Sequence, residues 1–142
     1  MLSMKAKYAL RALCALASEP QALQPARALA VAARVPEKFL ENILVDLRDA
    51  GFVRSRRGLA GGHTLARESG SIMVGDVIRA IDGPLAPLRC ASVTAYQPCA
   101  DCPDPEACAT RALMVDVRNA ISSVLDQRSL AELANATLES LA

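Results

Sequence analysis

The sequence has no tryptophan, two tyrosines and two phenylalanines, so aromatic residues make up only 3% of its 142 residues. Hydrophobic residues nevertheless account for 52%. A core of leucine, alanine, valine and isoleucine, with few of the aromatic residues that favour strands, indicates a mainly helical protein. A chain of this length forms one ordinary domain, or one small domain with an added helix for dimerisation.

Long apolar runs are also lacking. No run reaches the roughly 18 residues that a membrane helix needs, which argues against a membrane protein. The apolar N-terminus has some features of a signal peptide, but Lys5, Lys7 and Arg11 interrupt it. Its apolar residues follow helical spacing, and Ser3 is suited to the N-cap, so we expect a core helix from Ser3 to Ser18 in a cytoplasmic protein.

Two further patterns of helical period lie between Pro25 and Ala50. In the first, PARALAVAARV, the apolar residues are Leu29, Val31, Ala33 and Val35, and in the second, PEKFLENILVDLRDAG, they are Phe39, Leu40, Ile43, Leu44 and Leu47. The second set predicts one wide buried face. Pro36 at the first helical position and Gly51 after the last are typical of helix ends. The turn between the helices is expected around Arg34, where glycine is common.

A basic hairpin is predicted directly after this helix pair. Two short extended runs between Phe52 and Ala66 surround Gly58, Gly61 and Gly62 and carry three arginines. A helix pair followed by such a hairpin is typical of a winged helix-turn-helix. Residues 1–89 hold 13 Lys and Arg against 8 Asp and Glu, a net charge of +5, whereas residues 90–142 carry −4. The basic half suits a polyanionic partner.

The side chains of this region predict how DNA would be read. Lysine reaches a guanine edge, asparagine an adenine edge, and glutamate accepts from the cytosine amino group. Glu41 would repel phosphates, so it is expected to read a cytosine or to reject other sequences. A wing arginine such as Arg57 can follow the backbone or enter a minor groove. His63, the single histidine, is expected to contact phosphate or solvent. The predicted DNA-binding residues are Lys38, Glu41, Asn42, Arg48, Arg54, Arg56, Arg57, Gly61 and His63. The alternatives are a solvated helix face and a wing whose arginines only prevent edge pairing.

Two more helices are predicted in the second half of the chain, after a short helix that ends at Gly83. The segment from Ala109 to Gln127 is amphipathic and too apolar to stand alone, so we expect it to pack on the N-terminal helix and on a second subunit. Ser129 and Glu132 form a capping box for a last helix with Leu130, Leu133 and Leu138. The expected division is therefore a winged helix-turn-helix over 1–83, a cysteine-rich sensor loop over 84–108, and a dimerisation helix with a C-terminal helix over 109–142.

The segment from Pro84 to Cys108 holds five of the eight prolines and has little apolar periodicity. It also holds four of the five cysteines: Cys90, Cys99, Cys102 and Cys108. Metal coordination would order such a segment, and thiolates suit an iron–sulfur cluster or zinc. A single CxxC does not match the paired knuckles of a zinc ribbon. Cys14, on the apolar face of the first helix, is expected to be a buried small hydrophobe.

Other chemistry remains open for these cysteines. One alternative is a cluster-free sensor that forms disulfides, with Cys99 exchanging with Cys102 or Cys108. A redox enzyme is disfavoured because the CxxC lies in a loop after a proline and not between a strand and a helix. A winged helix that serves only as a protein adaptor is a further alternative.

The chain as a whole resembles the family of bacterial winged-helix regulators that includes IscR, NsrR and RirA. The resemblance rests on SMKAKYALRAL, KFLENIL, RRGLAGGHTLAR, VGDVIRAIDGPL, the cysteine loop and VRNAISSVLDQRSLAEL, and it covers nearly the whole chain. It implies a mostly α fold with a β-hairpin wing and no enzymatic activity. It also implies a homodimeric repressor of a pseudo-palindromic site in double-stranded DNA, controlled by a [2Fe–2S] or [4Fe–4S] cluster.

The resemblance also assigns individual residues. Cys90, Cys102 and Cys108 match the three cysteine ligands of the family, and Cys99 is additional or takes the place of Cys102. Glu41 matches a position that tunes sequence preference, and Arg57 matches the wing arginine. Relatives take a fourth ligand from positions that are Lys7, Arg11 and Arg111 in this chain. Cys99 is therefore expected to complete the set, or the cluster has an open site.

Overall fold

The computed structural model describes the backbone of residues 2–141 and the side chains of residues 2–136. Over this range the chain forms mostly helices and one hairpin, as predicted. The elements are α1 (Met4–Ser18), α2 (Ala26–Ala33), α3 (Glu37–Asp49), β1 (Val53–Arg56), β2 (Gly62–Leu65), α4 (Val74–Asp82), α5 (Ala109–Leu125) and α6 (Leu130–Leu141), with short 3-10 turns at Ser69–Ser71, Arg89–Ala91 and Pro105–Ala107. No helix of the described part is long and apolar enough to span a bilayer.

The helix ends follow from local chemistry. The Ser3 hydroxyl accepts a hydrogen bond from the amide of Ala6 at 3.0 Å and caps α1. At α6, the Glu132 amide donates to the Ser129 hydroxyl at 3.2 Å, and the Glu132 carboxylate accepts from the Ser129 amide at 2.8 Å. This reciprocal pair is the predicted capping box. Gly51 and Gly83 end α3 and α4 with φ of 86°, which favours glycine.

The turn between α2 and α3 is built around Arg34. Its φ of 55° and ψ of 50° are left-handed, an uncommon conformation for a residue with a side chain. The next amide, of Val35, donates back to the Ala30 carbonyl at 3.0 Å. Pro36 then has an extended ψ of 128° and precedes α3, so the helix begins at Glu37, one residue later than expected.

Helix α1 lies at the centre of the core, in contact with α2, α3, α4 and α6. The fully buried large side chains are Leu13, Leu16, Leu29, Leu40, Ile43, Leu47, Ile72, Val77 and Leu130. Because Leu130 belongs to α6, the C-terminal helix completes the core of the helix-turn-helix. We expected α5 to pack along α1, but α6 packs there instead. Helix α5 packs on α4 and on the turn Arg89–Ala91.

Two apolar side chains assigned to buried faces lie at the surface. Val31 is 77% exposed because it points away from the side of α2 that buries Leu29 and Ala33. Phe39 is 48% exposed at the edge of α3, where its ring stacks on Tyr8 with 6.4 Å between centroids. Those two assignments were wrong because the spacing of apolar residues defines the centre of a buried face better than its edges.

Candidate nucleic-acid interface and thiol pocket

A groove of about 300 Å³ separates the exposed side of α3 from the wing. Its lining is Ala26, Glu41, Leu44, Val45, Arg48, Ser55, Arg56, Arg57 and His63. Five of the nine predicted DNA-binding residues are therefore brought together by the fold. The groove is open, and four of those five side chains are exposed. A carboxylate and three guanidinium groups thus border one surface that a polyanion can approach.

The wing owes its shape to close backbone contacts. Strands β1 and β2 pair antiparallel, with Arg56 opposite Gly62. At Gly61 an added Cβ would lie 2.1 Å from the Arg56 carbonyl oxygen, so this position requires glycine for the turn itself. Gly58 has a φ of 106°, which again favours glycine. Arg54 is exposed on β1 but does not line the groove.

The second strand of the wing is fastened to the loop between α1 and α2. Gln24 and His63 exchange two backbone hydrogen bonds, of 3.0 and 2.8 Å. The buried Gln24 side chain donates to the Ala15 carbonyl at 3.1 Å, and the Thr64 hydroxyl donates to the Pro20 carbonyl at 3.2 Å. These contacts hold the wing in a fixed position relative to α1. The pattern of the sequence carried no sign of them.

His63 is held in the groove by its own side chain as well. Its Nδ1 shares a hydrogen bond of 2.8 Å with the Ser55 hydroxyl. Burial, and then the positive charge of Arg48, lower the pKa of His63 below its ordinary value of 6.5. The imidazole is therefore neutral at neutral pH.

Asn42 and Lys38 lie away from the wing groove. Asn42 lines a separate pocket of about 580 Å³ between α1 and α3, together with Met4, Lys5, Tyr8, Phe39 and Ile43. Lys5 on the same side forms an ion pair with Asp46. The Lys38 ammonium lies 4.9 Å from the centroid of the Phe39 ring. The exposed surface of α3 is thus divided between an edge that faces the wing and an edge that faces α1.

The four cysteines of the loop border a third pocket, of about 360 Å³. Cys90 is buried, Cys102 and Cys108 are half-buried, and Cys99 is exposed. A hydrogen bond with the Cys90 side chain, and then its charge, raise the pKa of the Cys99 thiol. In the described part of the chain, however, no three Cys, His, Asp or Glu side chains are arranged so that they could hold a metal ion.

Cys14 lies outside this pocket. It is half-buried in α1, and burial raises its pKa to about 11. A thiol with so high a pKa is a poor nucleophile and a poor ligand.

Two arginines of α5 hold the loop through its backbone. The Arg111 Nε donates to the carbonyl of Cys90 at 2.9 Å, and the Arg118 guanidinium donates to the carbonyl of Ala91. The Arg111 amide donates to the sulfur of Cys108 at 3.4 Å, so this cysteine caps α5. Arg111 therefore supports two of the candidate ligands without being one itself.

Comparison with known proteins identifies the family. A model described as Rrf2, iron-dependent transcriptional regulator, matches residues 2–136. The chain belongs to the Rrf2 family. It is 42% identical over 138 residues to a putative rrf2-like HTH-type transcriptional regulator of Rhodobacter capsulatus, and the match covers 94% of this chain and 91% of that one.

Solved structures agree with this assignment. The structure of CymR, described as the global cysteine regulator of B. subtilis, has a TM-score of 0.77 at 31% identity and covers 96% of this chain and 97% of its own. T. potens IscR has a TM-score of 0.76 at 28% identity and covers 99% and 90%. The fold, the recognised family and the expectation of a transcriptional regulator that is not an enzyme are therefore confirmed.

In this Rrf2 protein the end of α5 is tied to the helix-turn-helix. Arg79 of α4 donates two hydrogen bonds of 2.7 Å to the carboxylate of Asp126, just after α5. These bonds lower the pKa of Asp126 and raise that of Arg79. The following residues form a short bridge with the segment before α4, in which the Leu130 amide donates to the Ile72 carbonyl at 2.8 Å. The sequence pattern did not predict this contact, because Arg79 and Asp126 are 47 residues apart in the chain.

Proposed function

We propose that this Rrf2 protein is a cytoplasmic homodimeric repressor that binds a pseudo-palindromic operator in double-stranded DNA. The observation that carries the proposal is the groove that α3 shares with the arginines of the wing. In helix-turn-helix proteins the second helix enters the major groove, and dimers match two half-sites one helical turn apart. The exposed arginines at this groove suit a polyanion such as DNA, which is why we favour an operator-binding protein over an adaptor.

The residues of the surface divide into two roles. Glu41, with Lys38 and Asn42, is the proposed reader of base edges. Arg48, Arg54, Arg56 and Arg57 are the proposed phosphate and minor-groove contacts, which set affinity more than sequence preference. His63 and Gly61 support the wing, and the neutral imidazole can still donate one hydrogen bond to a phosphate.

The dimer in this proposal is formed through α5. None of its 17 residues is buried, and Leu113 and Val124 are 57% and 58% exposed. Fully burying a side chain of this kind contributes roughly 1.5–3 kcal/mol. A two-fold contact between two copies of α5 would cover these residues on both chains and set the distance between the two α3 helices.

The thiol pocket is the proposed sensor, with an iron–sulfur cluster of the [2Fe–2S] or [4Fe–4S] type. The donor chemistry fits, since Cys90, Cys102 and Cys108 with Cys99 as a fourth supply the soft thiolates that hold such clusters. When bound, the cluster supplies a redox-responsive centre. The four thiols border one pocket without three of them converging, so these cysteines would hold a cluster only if the loop closed around it. Arg111 and Arg118 then couple the position of the loop to α5.

A cluster-free thiol sensor is the second candidate, and one observation favours it. Cys90 and Cys99 border the same pocket, and the interaction with the Cys90 side chain is the main cause of the raised pKa of Cys99. Joining them would remove two protons and two electrons, which a peroxide can accept. The sequence had favoured Cys102 or Cys108 as the partner of Cys99, so the pair to test first in this candidate is Cys90 with Cys99.

Metal analysis of protein purified without oxygen decides between these sensors. We expect iron and acid-labile sulfide together with visible charge-transfer absorption, and we expect Cys102→Ala to abolish both. Cys14→Ala is the matched control and should retain the full cluster. A colourless protein without iron would overturn the cluster and favour the thiol candidate, whereas zinc alone would make the loop structural.

The DNA-reading part is tested by comparing Glu41→Ala with Arg57→Ala. Losing a base contact should reduce discrimination between the operator and a variant with one changed base pair by about 1–3 kcal/mol. Losing a phosphate contact should weaken binding to all sequences and reduce the slope of log affinity against log salt by about 0.9. Arg128→Ala, in the exposed turn before α6, is the control and should bind normally. Equal losses of Glu41→Ala on operator and scrambled DNA would contradict the proposed role of Glu41.

A further inference from the structure

One apolar side chain interrupts the charged edge of α3 that faces the wing. Val45 is 43% exposed, although Leu40, Ile43, Leu44 and Leu47 of the same helix are at most 2% exposed. It lies one turn after Glu41 and three residues before Arg48. All three border the groove that also contains Arg57. Val45 therefore lies within the proposed reading surface and outside the core.

The folded chain gains little from valine at this position. A β-branched residue has a lower helix propensity than alanine, and a side chain that is 43% exposed has less packing to offset this than a buried one. Its χ1 angle is nevertheless confined to one main rotamer in a helix, so its two methyl groups are held in a fixed direction. A rigid apolar group directed at a nucleic acid can recognise only another apolar group.

The major groove presents one such group. Among the four bases, the C5-methyl of thymine is the only apolar substituent on the major-groove edge, and small apolar side chains contact it. We propose that Val45 determines specificity by contacting the C5-methyl of an operator thymine. This inference rests on the proposed entry of α3 into the major groove. Four residues of helix rise about 6 Å, so with α3 lying along the groove the thymine is about two base pairs from the base read by Glu41.

The test uses the operator that the wild-type protein selects, with each thymine replaced in turn by uracil, which lacks only the methyl group. Wild-type protein should lose about fourfold in affinity at one thymine of each half-site, the value of one buried methyl group. Replacing this thymine by uracil in both half-sites should reduce the affinity roughly 15-fold. Val45→Ala should lose a similar amount on the thymine operator and show no further loss on uracil.

Val31→Ala is the matched control, because Val31 is 77% exposed on α2 and outside the groove. It should retain the full sensitivity to uracil. The inference is overturned if Val45→Ala binds as wild type does, or if it stays as sensitive to uracil. Glu41→Ala separates this failure from that of the proposed function. If Glu41→Ala still relaxes sequence preference, only the Val45 contact is wrong, and if neither variant changes preference, α3 does not read bases.

Discussion

Gly62→Ala should lower the free energy of unfolding by about 2–3 kcal/mol and weaken DNA binding. Gly62 is buried, and an added Cβ would lie 2.7 Å from the carbonyl carbon of Gln24 and 2.9 Å from its nitrogen and oxygen. Backbone atoms cannot rotate away as a side chain can. Inserting a methyl into such a contact costs about 1–3 kcal/mol, and each lost hydrogen bond costs about 0.5–1.5 kcal/mol more. The bonds at risk are the two between Gln24 and His63.

Urea denaturation and DNA titration of the same preparations test this expectation. Gly70→Ala is the control, since nothing lies within 4 Å of its added Cβ and its φ is not positive. It should unfold at the wild-type urea concentration and bind DNA normally. Because the wing is fastened to the loop before α2 by these bonds, Gly62→Ala should also lose affinity for unrelated DNA. Wild-type stability of Gly62→Ala would contradict this prediction, because it would mean that the wing can shift away from Gln24 without a loss of free energy of unfolding.

Gly75→Ala should destabilise the protein by about 1–2 kcal/mol, although alanine normally favours a helix by about 0.5–1 kcal/mol over glycine. Gly75 lies in the first turn of α4, and an added Cβ would be 2.0 Å from the Asp126 carboxylate oxygen. The methyl group therefore displaces the carboxylate from Arg79. Hydrogen bonds between charged groups contribute about 1.5–3 kcal/mol. Two such bonds are lost, but solvent weakens them because 38% of the Asp126 side chain is exposed, so both together are worth about 2–2.5 kcal/mol. Subtracting the helix preference of alanine leaves a net loss of about 1–2 kcal/mol.

A double-mutant cycle isolates the cause. With Asp126→Ala already present, Gly75→Ala should become neutral or stabilising, since the colliding carboxylate is gone. The effect should also depend on pH. Because Arg79 lowers the pKa of Asp126 below its ordinary value of 3.8, the stability from this pair is present above that value and lost as pH falls through the lower folded pKa. A Gly75→Ala penalty that persists unchanged with Asp126→Ala would contradict the proposed collision.

Local signals in the sequence predicted much of the fold. Ser3, Ser129 and the glycines at 51 and 83 act on neighbouring backbone groups, so their roles are readable from a few residues of sequence. The glycine-rich arginine hairpin is equally local, and the wing was predicted with its strands on either side of Gly58. The same holds for the groove, because Glu41 and Arg57 are brought together by one helix and the hairpin that follows it.

Contacts between distant segments could not be read in this way. The pairing of Gln24 with His63 and that of Arg79 with Asp126 depend on how whole elements pack. Nothing in the sequence around any of these residues indicates which distant residue it will contact. The exposure of Phe39 and Val31 was missed for a related reason. A shift of one residue along a helix turns a side chain by about 100°, enough to move it from the core to the surface.

The hydrogen bonds between α5 and the thiol loop bear on how this protein can evolve. Arg111 and Arg118 hold carbonyl oxygens of the main chain, which every residue possesses. Replacing Cys90 by another amino acid would therefore keep the carbonyl oxygen that accepts the hydrogen bond from Arg111. If the loop is the proposed sensor, its thiol chemistry and its attachment to α5 are separable, so substitutions at the cysteines can change the signal while the contacts with α5 are retained.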